Sequence, residues 1–94
     1  MNSILELLKS GAVVVDVRSP GEYYEGHFSD SVNIPLSELP GRLEELKTMN
    51  DIIVCCASGI RSNKAMGILQ QNGIACYDGG SWLNLKTLLT PNNQ

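Results

Sequence analysis

The sequence predicts an α/β fold with a small parallel sheet of four to five strands and helices on both faces, on three grounds. Short apolar runs alternate with segments at helical spacing along the 94 residues. The run Ala12-Val13-Val14-Val15-Asp16-Val17 is nearly all β-branched, as in a strand covered on both faces. The segments between the strands carry their own start or stop signals, a capping serine, a proline or a glycine.

The elements follow in order. Ser3 and Glu6 form a capping box for a first helix carrying Ile4, Leu5, Leu7 and Leu8, closed by Gly11. The strand 12–17 comes next. Ser19, Pro20 and Glu22 read as N-cap, N1 proline and acid at N3 of a short helix that ends near Gly26. Ser31-Val32-Asn33-Ile34 is a brief strand stopped by Pro35. Ser37 and Pro40 announce one helix that turns Leu39, Leu43, Leu46 and Met49 inward, with Gly41 weakening its first turn. Strand 51–56, a loop, and a helix over about 61–72 burying Ala65, Ile68 and Leu69 follow, with Gly73 after its end. Ile74-Ala75-Cys76-Tyr77 is the last expected strand, Gly79-Gly80 a turn, and residues from Trp82 to Leu89 a final helix. Residues 90–94 read as a frayed tail of a single domain over 1–94.

Composition excludes several functions. A net charge of −3 with scattered Lys and Arg disfavours nucleic acid as a partner. No apolar run approaches the length of a membrane span, and no signal peptide is visible, so a cytoplasmic monomer is expected. Three cysteines with no Cys-x-x-Cys pair argue against a disulfide framework and a metal site. No cofactor is expected.

The chemistry concentrates at Cys56. It ends an apolar strand and precedes the small residues Ala57, Ser58 and Gly59, then Ile60, Arg61 and Ser62 at a helix start. Loop amides and the helix dipole there favour an anion, and so a thiolate. Cys55 faces the other side of the strand and reads as packing, as does Cys76. A cation in a helix's first turn opposes the dipole, so Arg61 should pair with a bound anion or a nearby carboxylate. Asp16, Arg18, Asp78 and Gly79 should share the rim with Cys56, since sites in such sheets lie beyond the carboxyl ends of the strands. Asp16 has a plain alternative as a turn-amide acceptor, and Arg18 as its partner or that of Glu22. His27 follows a glycine and reads as structural rather than as a base for the thiol.

Four segments in order resemble the single-domain rhodanese family over nearly the full chain. They are Val15-Asp16-Val17-Arg18 with Glu22-Tyr23-x-x-Gly26-His27, then Val32-Asn33-Ile34-Pro35, Cys56-x-x-Gly59-x-Arg61-Ser62, and Asp78-Gly79-Gly80 with Trp82. Asp30-Ser31 departs from the Gly-Ala pair common in the family, and the chain lacks the family's frequent extra N-terminal strand. The resemblance implies a three-layer fold. It also implies a thiosulfate sulfurtransferase in which Cys56 takes sulfur from thiosulfate as a persulfide and passes it to cyanide or a thiol. Residues 57–61 would bind the sulfur and donor, with Asp16, Arg18, Ser62 and His27 in support. Four residues separate Cys56 from Arg61, against five in cysteine phosphatases, which points away from phosphate or arsenate chemistry. The alternative is a sulfur relay that docks to a protein acceptor.

Overall fold

The computed structural model describes residues 3–89; the expected tail 90–94 lies outside them. Ten elements follow one another: α1 (Ile4–Lys9), β1 (Val13–Asp16), α2 (Pro20–Glu25), β2 (Val32–Asn33), a 3-10 segment (Leu36–Gly41), α3 (Leu43–Lys47), β3 (Ile52–Cys56), α4 (Ile60–Gln71), β4 (Tyr77–Ser81) and α5 (Trp82–Leu89). The four strands are parallel, in the order β2-β1-β3-β4. The expected capping box of Ser3 with Glu6 forms, and the expected N-cap Ser19 closes one with Glu22, so each short helix satisfies amides that have no partner within the helix.

The sheet separates two apolar layers. Val15, Val17, Ile52, Val54 and Cys56 pack with Leu39, Leu46, Ala65 and Leu69 on the side of α3 and α4. Val14, Ile53 and Cys55 pack with Leu7, Phe28 and Leu85 on the side of α1 and α5. Each fully buried leucine contributes about 1.5–3 kcal/mol of transfer free energy. The alternation along β3 puts Cys55 and Cys56 on opposite faces, as the two-residue period of a strand requires.

Three expectations need correction. The single helix expected after Ser37 is two pieces, a 3-10 segment and α3, joined at Arg42 (φ −126°). Pro40 has no N–H to donate to an α-helical ladder, and Gly41 does not favour one, so the chain tightens and restarts. Ile68 is only half-buried, because α4 turns Ser62, Ala65 and Leu69 to the sheet instead. The last strand runs from Tyr77 to Ser81 rather than over 74–77, so Cys76 precedes it and Gly79-Gly80 lie inside it.

That shift has a packing cause. β3 and β4 slip register between Val54 and Cys55, which leaves Gly79 as the extra residue of a bulge. A Cβ on Gly79 would stand 2.7 Å from Ile53 Cγ2 and 3.2 Å from the Val54 carbonyl oxygen. Gly79→Ala should therefore destabilise the fold by about 1–3 kcal/mol. Urea unfolding checks this, and an unchanged midpoint would show that the sheet yields more easily than the contact implies.

Candidate active site

β3 ends at Cys56, and the chain must turn at once to start α4. Gly59 makes the turn with φ +105°, a left-handed conformation that side chains rarely adopt. The curl aims backbone amides back at the strand end. The Gly59 N–H donates to Cys56 Sγ at 2.9 Å, and the Ser62 N–H at 3.3 Å. Cys56 itself is 0% exposed, so its sulfur lies at the floor of the loop while Ala57 and Ser58 form the exposed rim. Ile60 opens α4 with its side chain in solvent.

Burial pushes the Cys56 thiol up, but donation from the Ser62, Gly59 and Ser58 N–H groups outweighs it and lowers the pKa. The Ser62 hydroxyl also has Asp78 Oδ1 at 2.7 Å and the Gly59 carbonyl at 3.1 Å. Its single proton goes to the carboxylate, so the amides do most of the lowering. Burial pushes Cys55 and Cys76 the other way, and for Cys55 the neighbouring Asp16 charge adds to it. The thiolate absorbance of wild type minus Cys56→Ser should titrate below the ordinary thiol value of about 8.5. A midpoint at or above that value would contradict the amide cradle.

The rest of the rim is ordered by ion pairs. Asp16, at the end of β1, accepts the Arg18 N–H at 3.0 Å and the Arg18 guanidinium at 2.7–3.1 Å, with both residues buried. The Asp16 hydrogen bond and charge raise the Arg18 pKa against the opposing effect of burial. Arg18 also donates to the Gly26 carbonyl at 2.7 Å and lies 5.0 Å from the centre of the Trp82 ring. Together the two residues fasten β1 to the end of α2 and the start of α5. Asn33 Nδ2 donates to the carbonyls of Asp16 and Arg18, both at 3.0 Å, and keeps this turn in place.

Arg61 finds a carboxylate. Its Nη1 and Nη2 donate to Glu22 Oε1 and Oε2 at 2.7 and 2.9 Å. These bonds and the Ser19 cap hold the Glu22 pKa down at about 2. His27 Nδ1 lies 2.9 Å from the Tyr23 carbonyl oxygen, and its ring stacks on Tyr23 with centroids 3.9 Å apart. Asp78 is inside β4 rather than after it. It accepts from Ser62 Oγ and from the Gly80 N–H, tying the bulge to the loop.

The sequence reading placed Asp78 on the rim and Glu22 at a helix start, but gave Asp78 no bond to Ser62 and Glu22 none to Arg61. A cation opposing the helix dipole signalled that Arg61 needs a partner, but not which one. Among the described residues no cluster of His, Cys, Asp and Glu is placed to hold a metal, and no helix is long and apolar enough to cross a membrane. A hollow of about 800 Å³ between α1, the residues after α2 and α5 holds no cysteine.

The Rhodanese-like domain family matches residues 1–82. A sulfurtransferase of Allochromatium vinosum is 34% identical over 74 residues, covering 79% of this chain and 64% of that protein. A tRNA uridine(34) hydroxylase of Buchnera aphidicola is 33% identical over 79 residues, 78% of this chain and 25% of that one. The matched stretch thus spans less than two thirds of these relatives' own length. The crystal structure of a rhodanese-related protein from Thermoplasma volcanium superposes with a TM-score of 0.77 at 32% identity, over 92% of this chain and 89% of that one.

Proposed function

The chain belongs to the rhodanese-like domain family, and on that premise we propose that it is a sulfurtransferase working through a persulfide on Cys56. The observation that carries this reading is the thiol at the carboxyl end of β3 accepting two backbone N–H bonds from the turn into α4. The thiolate attacks the outer sulfur of a donor. With thiosulfate, a Cys56 S–S bond forms, the donor S–S bond breaks with its electron pair, and sulfite leaves. Cyanide or a thiolate then attacks the outer sulfur and returns the Cys56 thiolate, in a ping-pong cycle.

The geometry suits both steps. Amide donation to the sulfur favours the thiolate, so this reading calls for no base, and His27 is held at the Tyr23 carbonyl instead. An S–S bond adds about 2 Å, which carries the delivered sulfur from the floor of the loop toward its rim. The loop amides then face an anion in both states of the cycle. Arg61, beside the loop, is the group that meets the charge of an anionic donor.

A second reading is relay of the sulfur to a protein thiol. It is favoured by Ile60, 67% exposed at the first position of α4, and by Leu83, 52% exposed two residues beyond the strand end that pairs with Cys56. Exposed apolar side chains near the carboxyl ends of β3 and β4 suit a protein contact better than a small anion.

Incubation with thiosulfate, followed by intact mass measurement and peptide mapping, is expected to show one added sulfur on Cys56. No gain with thiosulfate or any persulfide donor overturns both readings. Fast turnover to cyanide supports the enzyme, whereas a long-lived persulfide that cyanide discharges slowly supports the relay.

A further inference from the structure

Glu22 stands apart from the sulfur chemistry, yet its carboxylate holds the cation in the first turn of α4. Both terminal nitrogens of Arg61 point at Glu22, at 2.7 and 2.9 Å, although the two residues lie on different helices. The same carboxylate accepts the Ser19 N–H and hydroxyl at 3.1 and 3.0 Å, so it is fixed at the start of α2 and cannot follow Arg61 if that side chain turns to a ligand. Arg18 is committed to Asp16 and the Gly26 carbonyl, so it offers the donor no second charge. A dianionic donor must therefore compete with Glu22 for Arg61 and approach a fixed negative charge. A persulfide carried on a thiol, with a single charge or none, meets a much smaller penalty.

We infer that Glu22 is a specificity-determining residue: by holding both terminal nitrogens of Arg61, it turns the Cys56 site away from dianionic donors such as thiosulfate and toward persulfides of small thiols. This rests on the sulfurtransferase reading above and names the donor class of that site. The balance of the transfer is unchanged. The donor's outer sulfur passes to Cys56, and the leaving group is the small thiolate in place of sulfite.

Glu22→Gln is the suitable variant, because glutamine at the same position still closes a capping box with Ser19 while losing the charge. Two readouts separate this inference from the reading it rests on. The first needs no turnover: calorimetry of thiosulfate binding to Cys56→Ser and to Cys56→Ser with Glu22→Gln. The glutamine form should bind about fivefold more tightly, the upper range for a partly exposed ion pair. Equal or weaker binding overturns the inference whatever the chemistry at Cys56.

The second readout is the ratio of kcat/KM for thiosulfate to that for the persulfide of 2-mercaptoethanol, whose carrier has no charge of its own. It should rise by a similar factor in Glu22→Gln, chiefly through a lower KM for thiosulfate. Equal changes for the two donors would assign Glu22 to positioning the loop, and the inference fails. Tighter thiosulfate binding without any sulfur gain on Cys56 would sustain the role of Glu22 in anion selection and remove the sulfurtransferase reading instead.

Discussion

Cys56→Ser is expected to lower sulfur uptake by about 10³-fold or more, since a serine hydroxyl is a far weaker nucleophile than a thiolate and nothing nearby replaces it. The fold should survive. Serine Oγ can accept the Gly59 and Ser62 amides that now reach the sulfur, so no amide is left without a partner. Cys55→Ala and Cys76→Ala are expected to keep uptake, because those thiols sit in packing layers where burial raises their pKa. Intact mass after treatment with thiosulfate, and with a thiol persulfide, reads all three variants. Persistent uptake in Cys56→Ser, or its loss in a folded Cys55→Ala, would move the nucleophile off the loop and undo the mechanism.

The amide cradle around Cys56 was legible in the sequence because its causes are local. A strand ending at a cysteine, small residues, a glycine and a helix start lie within seven positions, and the N–H bonds to the sulfur come from that same stretch. The Ser3 capping box and the Ser19 N-cap were legible for the same reason. What escaped depends on residues far apart. Arg61 meets Glu22 across 39 positions. The double glycine resembles a turn until Ile53 and the Val54 carbonyl are seen to leave no room for a side chain at Gly79. Asp78 acquires its role only because the bulge brings it to Ser62. Pro40 was read as a helix start, yet the 3-10 segment begins before it and the α-helix after it.

Asp16 and Arg18 form the most buried ion pair described, and their separation should cost the fold more than their joint removal. Asp16→Ala leaves Arg18, 5% exposed, with only the Gly26 carbonyl and the face of Trp82 for its guanidinium. Breaking such a pair from one side typically costs about 3–5 kcal/mol, a large share of a total stability of about 5–15 kcal/mol. Adding Arg18→Met, which keeps the unbranched stem beside Trp82 and removes the stranded charge, should recover much of the loss. Urea unfolding of the two single variants and the double variant closes the cycle. If the double variant is as unstable as the sum of the singles, the pair is not coupled and Asp16 acts through turn amides alone. The site should feel the difference too. Arg18 ties the carbonyl of Gly26 beneath Trp82, and Gly26 ends the helix that carries Glu22 to Arg61. Loosening that end should blur the discrimination between thiosulfate and thiol persulfides before it affects sulfur uptake by Cys56, whose amide cradle is built from α4 and its preceding loop.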